Sequence, residues 1–161
     1  ISLVGIRTFI GSIFLSFFVI RKGLNIKDLI KPGLILGPLL AIHWVTMFES
    51  IELNSVTVGI GSVFSYPIFV LIIEKIKGKT LSIKQVLIII FGFLGLMILL
   101  DVKYIDSLTG IFYGILSAIS LALIITIGEK YSTELGGLKV AFIQLIVAGV
   151  CLIYFTIEGY Q

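Results

Sequence analysis

Apolar stretches, each about as long as a bilayer is thick, follow one another along nearly the whole chain. A hydrocarbon core of about 30 Å needs roughly 20 residues of apolar helix to cross it. Five or six such stretches fit into the 161 residues. Hydrophobic residues make up 58%, charged residues 13%, and the mean hydropathy is +1.21. A water-soluble domain cannot hide that much apolar surface, so lipid must be part of the solvent. The fold class that follows is all-α: a polytopic transmembrane helix bundle of about six spans.

The spans are placed at 2–20, 33–53, 54–76, 82–100, 108–128 and 138–157. Pro32 stands just before the second span and Pro38 in its opening turns. Proline is tolerated there because the first helical N–H groups have no partner anyway. Asn54 or Ser55 is the N-cap of the third span. The second and third spans are so close that one long helix is conceivable. Against that stand Glu49, Glu52 and Asn54, which cluster at the junction. Carboxylates prefer water to hydrocarbon, and a turn at 52–54 exposes them.

The charges support the same division. Of the 12 basic residues, Arg21, Lys22, Lys27 and Lys31 follow the first span, and Lys75, Lys77, Lys79 and Lys84 the third. Lys130 and Lys139 follow the fifth. The intervening connections hold only Lys103; Lys75, Lys84 and Lys139 lie at span edges, and Arg7 is left inside the first span. Positive-inside reasoning then makes loops 21–32, 74–81 and 129–137 cytoplasmic and turns both chain ends outward. The expectation is a multi-pass protein of the cell membrane.

A net charge of +3 and a pI near 9.0 would allow nucleic acid as a partner. It is excluded because the cations sit in short loops and form no folded patch. The lone Cys151 permits no disulfide within the chain, and CxxC spacing is missing; it reads as a small hydrophobe. No metal or cofactor is expected. The chain starts at Ile1 without a basic leader or cleavage signal, and it ends at Glu158-Gly159-Tyr160-Gln161, soon after an apolar run. Both ends read as cut, as in a fragment of a longer polytopic protein.

Gly110, Gly114, Ala118 and Ala122 recur every four residues, a ladder of small side chains that lets a neighbouring helix come close. Gly33, Gly37 and Ala41 repeat the device in the second span. Residues 1–20 also lie on residues 138–157 without gaps: Ile6 on Ile143, Arg7 on Gln144, Gly11 on Ala148, Leu15 on Leu152, Phe18 on Phe155 and Ile20 on Ile157. These spans are five apart. An odd repeat inserts its second copy upside down, the plan of many secondary transporters, whose substrate site lies between the halves.

The early Arg7, His43-Trp44 before a short polar turn, Ser65-Tyr66-Pro67, and Glu74 at the end of the third span together resemble the EamA-type transporters of the drug/metabolite transporter superfamily. Gly92 and Gly95, Thr109-Gly110 opening the fifth span, and Glu129-Lys130 closing it are similar to the same family. The resemblance runs over essentially the whole chain, through the order and spacing of loose motifs. It implies ten helices in two inverted five-helix repeats. Residues 1–106 would then be helices two to five of the first repeat, and residues 107–161 the first two helices of the second. The chain departs from that pattern by lacking a first helix and the last three. It could not close the family's central cavity alone.

Five polar or aromatic side chains within the spans are candidates for such a cavity. Arg7 is the most expensive, at roughly 2.5–3.5 kcal/mol near a helix centre; it could hold an anionic group, or snorkel outward. His43 could bind substrate or titrate, or bond a neighbouring helix. Trp44 and Tyr66 could form an aromatic wall, or simply pack. Gln144 occupies the repeat position of Arg7. Pro67 removes a backbone hydrogen bond and should kink the third span, a hinge in the functional reading. Glu74 is a gate candidate, or a paired interfacial carboxylate beside Lys75 and Lys77.

The function expected is a secondary transporter, permease or exporter, that moves small organic solutes by alternating access. The resemblance implies amino-acid-like metabolites or drug-like amphiphiles. No G-x4-G-K-[ST] motif is present in the chain, so an ion gradient, with protons as one candidate, would supply the energy. The partners are then the lipid bilayer, a small solute and, as an open option, a second copy in a homodimer. A non-catalytic membrane subunit is the alternative. A membrane-embedded enzyme is disfavoured by a single histidine and the lack of HExxH, GxSxG or paired intramembrane aspartates.

Overall fold

The computed structural model describes residues 2–21, 23, 25–100 and 104–153. Every regular element among them is a helix: α1 Ser2–Arg21, α2 Ile26–Leu53, α3 Val56–Val63, α4 Tyr66–Ile76, α5 Ile83–Leu100, α6 Leu108–Leu135 and α7 Gly137–Cys151. Lys22, Lys103 and the expected continuation of the last span over 154–157 lie outside the described residues. Among the described residues five segments are long and apolar enough to cross a membrane: α1, α2, the α3–α4 segment Val56–Ile76, α5 and α6. The described part of α7 is apolar but 15 residues long.

Two expected boundaries move outward. Helix α2 starts at Ile26 instead of 33, and α6 runs to Leu135 instead of 128. Much of the expected loops 21–32 and 129–137 is therefore helical. The reason is length: 28 residues at 1.5 Å each give about 42 Å, which overruns a hydrocarbon core of about 30 Å into the polar interface. The extra turns carry the charges that argued against a span. At the start of α2, Asn25 Nδ2 donates to Asp28 Oδ2 at 2.7 Å, and Asp28 sits in the first turn, where the helix dipole favours an anion. Between α6 and α7, Gly136 makes the bend at φ +90°, a conformation nearly closed to other residues.

The chain divides into two compact units. One comprises Ile1–Trp44 and Ile127–Gln161. In it α1 and α7 pack together and run antiparallel: Gly11 faces Leu145, and Thr8 faces Gly149. The start of α2 lies along α7. A side chain at Gly33 would come within 2.6 Å of Ile143 Cγ1, and one at Gly37 within 2.5 Å of Val147. Glycine lets the two backbones approach that closely.

The other unit comprises Val45–Thr126. Here α3 folds back on the end of α2, with Gly59 against the backbone of Ile51. Helix α5 packs on α3 and α4, and the start of α6 meets Asn54, Ser50 and Ser62 through Gly110 and Gly114.

Hydroxyl-bearing residues share the interior with apolar ones such as Val4, Leu29, Leu36 and Leu152, while much of the exterior is apolar. Buried positions include Thr8, Ser12, His43, Thr46, Ser50, Ser117, Ser120 and Thr126 beside small residues. Large side chains such as Ile13, Phe14, Ile88, Phe91 and Ile98 point outward. Interiors of small and hydroxyl residues with apolar exteriors suit helices whose outer solvent is hydrocarbon.

Candidate functional site

The third span breaks at Phe64 and Ser65, and the break follows from local chemistry. Ser55 caps α3, its hydroxyl accepting from Val58 N–H at 3.3 Å; of the two candidate caps, Ser55 is the one used. Four residues past the end of α3, Pro67 occupies the first turn of α4. Proline has no N–H, so the Val63 carbonyl loses its partner four residues on, and the ring crowds that carbonyl. The chain tightens there: Ser65 N–H donates to Ser62 O at 3.2 Å, and Ile68 N–H to Ser65 O at 3.0 Å. Two hydroxyls stabilise this course. Ser62 Oγ donates to Val58 O at 2.8 Å and Ser65 Oγ to Ser62 O at 2.6 Å. Serines that bond backward within a helix compete with its backbone ladder and bend it.

A cavity of about 390 Å³ opens beside the break, within the second unit. Ser62, Ser65 and Phe69 line one side; Phe93 and Met97 of α5 and Ile115 of α6 line another. Among the described residues its lining holds no charged one. Both serine hydroxyls already donate to backbone, so toward the cavity they offer acceptor lone pairs. Such a space suits an apolar or weakly polar group. Nearby, Ser50 is fully buried, and its Oγ makes no hydrogen bond among the described residues. It faces Gly114 together with Ser62.

The opposite ends of this unit are fastened differently. At one end Asn54 joins two connections: Asp106 N–H and Ser107 N–H donate to its Oδ1 at 3.1 and 2.8 Å, and its Nδ2 donates to Ser107 O at 3.1 Å. Gly110 has room for no side chain because the Asn54 amide fills the space. At the other end Glu74 pairs with Lys77 at 3.5 Å and with Lys79. Lys77 Nζ also donates to Thr126 O of α6 at 2.8 Å.

The residues singled out in the sequence are dispersed. Arg7 is exposed on α1, off the buried stripe of Val4, Thr8, Ser12 and Val19. Gln144 is half-buried on α7, one residue before Leu145, which faces Gly11 of α1. His43 is buried and Trp44 half-buried, both in the first unit. Tyr66 belongs to the second unit, half-buried at the head of α4 with its ring 6.4 Å from Phe64. Pro67 stands at the break and Glu74 in the lysine cluster. Gly110, Gly114, Ala118 and Ala122 are all buried, whereas Gly92 and Gly95 on α5 meet nothing within 4 Å. Asn54 and the Lys77–Thr126 bond were not foreseen. Asn54 carried a signal, an amide in a short turn, but reading it as a cap concealed its long-range partner. Among the described residues no three His, Cys, Asp or Glu side chains gather as metal ligands.

The comparisons with known proteins agree with this architecture. The S-adenosylmethionine uptake transporter of Rickettsia prowazekii (strain Madrid E) is 28% identical over 144 residues, which covers 88% of this chain and 49% of that protein. An uncharacterized transporter of Archaeoglobus fulgidus is 23% identical over 138 residues, 83% of this chain and 51% of that protein. The chain thus spans about half the length of the curated relatives it matches. No solved structure matches it. The model of the EamA-like transporter family matches residues 1–101. That match takes in α1 to α5 and the whole broken span, and the chain belongs to the EamA-like transporter family.

Proposed function

We propose that this chain forms part of a secondary transporter for small organic solutes, working by alternating access between two inverted halves in the cell membrane. The observation that carries the reading is the broken span α3–α4 beside a cavity whose described lining is apolar and hydroxyl-bearing. Discontinuous helices next to a solute-sized space are the usual site of binding and hinging in secondary transporters. Pro67 is the hinge and Glu74 the inner gate; Arg7, His43, Trp44, Tyr66 and Gln144 are cavity residues of the assembled protein, and proton coupling runs through His43.

The α1–α7 contact supports the repeat. The gap-free alignment pairs Thr8 with Leu145 and Ser12 with Gly149. The observed neighbours are Thr8 with Gly149 and Gly11 with Leu145. Exchanging the two helices therefore maps the contact nearly onto itself, as a two-fold axis requires. On this reading residues 1–106 belong to the first repeat and 107–161 to the second. Amino-acid-like metabolites and amphiphiles are the solutes to test first. S-adenosylmethionine, after which the Rickettsia relative is named, falls in that class.

The test is flux into liposomes by the full-length protein that carries this chain, under imposed proton and solute gradients. Gradient-dependent uptake of one such solute, reduced at least tenfold by Pro67→Ala with the fold intact, is the expected result. Absence of flux under every gradient would sink the proposal.

A further inference from the structure

The two halves of the broken span are held unequally. Helix α3 buries Val58, Gly59, Gly61 and Val63. Gly59 lies on the backbone of Ile51, Ser62 on Gly114 of α6, and Gly61 beside Met97 of α5. Just before α3, the Asn54 amide ties the turn to Asp106 and Ser107. Helix α4 buries none of its residues. It packs on α5, which buries none either. Yet Ile68 and Phe69 of α4 form part of the cavity wall. One half of the span is anchored; the other is a wall with little packing behind it.

The far end of α4 is tied by charge instead. Lys77 caps the helix, and its Nζ donates to the Thr126 carbonyl of α6 at 2.8 Å. A carbonyl has two lone pairs, so this bond need not displace the ladder of α6, which continues to Leu135. Thr126 is buried, whereas the Lys77 side chain is 40% exposed. A bond from an ammonium is stronger than one between neutral groups. Because the ammonium keeps part of its water, it can exchange the carbonyl for solvent when α4 moves. Glu74 lies 3.5 Å from Lys77, one turn earlier on α4, and steadies it.

The lever is long enough for a small rotation to matter. The 11 residues of α4 rise about 16 Å. A swing of about 20° at the break, the size of an ordinary proline kink, carries the far end about 6 Å and parts Lys77 from Thr126. Ile68 and Phe69, next to the break, shift far less. The cavity wall then keeps its form while the path from it to the lysine-rich end opens.

We infer that Lys77 is the catch of a swinging half-span: α4 turns about Phe64–Ser65, α3 stays fixed, and the Lys77–Thr126 bond holds α4 closed. Glu74 is the positioning residue for this catch. The catch regulates access to the space assigned above to the solute, and that purpose rests on the transporter reading.

The test is the distance between spin labels on the full-length protein that carries this chain, in lipid nanodiscs and an otherwise cysteine-free background. One pair, Lys75→Cys and Ile125→Cys, spans α4 and α6. A reference pair, Val56→Cys and Phe112→Cys, spans α3 and α6. All four positions are exposed. Lys77→Met leaves Glu74 paired with Lys79, so no carboxylate is stranded. In the first pair it should raise the ratio of long to short distances roughly tenfold, as loss of one bond to a charged group implies. The reference pair should not change. Lys77→Arg keeps a charged donor and should match the parent. Pro67→Ala, added to Lys77→Met, stiffens the break and should suppress the long component. Circular dichroism checks that each variant is helical; if Lys77→Met is not, Lys77→Gln replaces it with the same expected direction. A parent-like distribution in the Lys77 variant would overturn the inference. So would an equal shift in the reference pair, Lys77→Arg behaving like Lys77→Met, or a double variant as open as the single one. The measurement needs neither solute nor gradient, so its failure is distinct from failure of the flux test.

Discussion

Helix α2 contains two prolines and runs unbroken for 28 residues, whereas the third span contains one proline and is cut in two. The proline is not what decides. In α2, Pro32 is fully buried, and Gly33 and Gly37 press against Ile143 and Val147 of α7. That contact line runs along the helix and holds it together across the missing hydrogen bonds. Around Pro67 the balance reverses. Helix α4 has no buried residue, and Ser62 and Ser65 offer the backbone a competing set of bonds. Where packing is continuous it overrides a proline; where packing is sparse and hydroxyls stand by, the proline breaks the helix.

Several substitutions would break or sharpen this contrast. The largest effect should come from Gly37→Leu, which forces a side chain into Val147; overpacking of this kind costs about 1–3 kcal/mol. Denaturant unfolding in micelles measures it, with Gly92→Leu as the control, since nothing lies within 4 Å of Gly92. Equal stability of the two variants would show that α2 is not held by packing.

Next is Asn54→Ala, in the turn between the two spans. It removes three hydrogen bonds at the end of α2 and should cost about 1–2 kcal/mol, since each net bond is worth about 0.5–1.5 and water can replace part of the loss. Faster amide exchange at 106–107, with little change elsewhere, is the signature to look for.

Pro67→Ala restores an N–H that can donate to Val63 O. It should gain about 0.5–1.5 kcal/mol and slow amide exchange at 64–68. Adding Ser62→Ala and Ser65→Ala should increase the gain by more than the sum of the single changes, because the three residues act on one turn. Strict additivity would deny that the serines compete with the ladder. The smallest effect is expected for Pro38→Ala, within about 0.5 kcal/mol, because α2 is already continuous.

Much of the fold was legible because spans in lipid announce themselves by length and by the charges that interrupt them. Both features are local in sequence. The connection between the second and third spans (expected at 52–54, found at Asn54–Ser55 because α2 runs on to Leu53), the buried ladder from Gly110 to Ala122 and the disruption at Pro67 all depend on neighbours within a few residues. The helix ends at Ile26 and Leu135 were missed for a related reason: charge marks where hydrocarbon ends, not where the helix does. The candidate site was less legible. The cavity at the break draws on residues from 58 to 115, and none of its aliphatic or aromatic side chains carries a pattern that distinguishes lining from filler. Arg7 and His43 stood out by rarity, yet rarity does not tell which way a side chain faces.

Helix α5 has no buried residue, and its 18 residues rise about 27 Å, a little less than a typical hydrocarbon core. Packing alone therefore fixes neither its tilt nor its depth, and bilayer thickness enters as a control variable. Thinner membranes suit it. Thicker ones must dimple around it or draw Lys84 inward, which can be followed through the accessibility of a probe at that position. The composition of the surrounding lipid then becomes a mechanical setting for the wall of the cavity that α5 supplies through Phe93 and Met97.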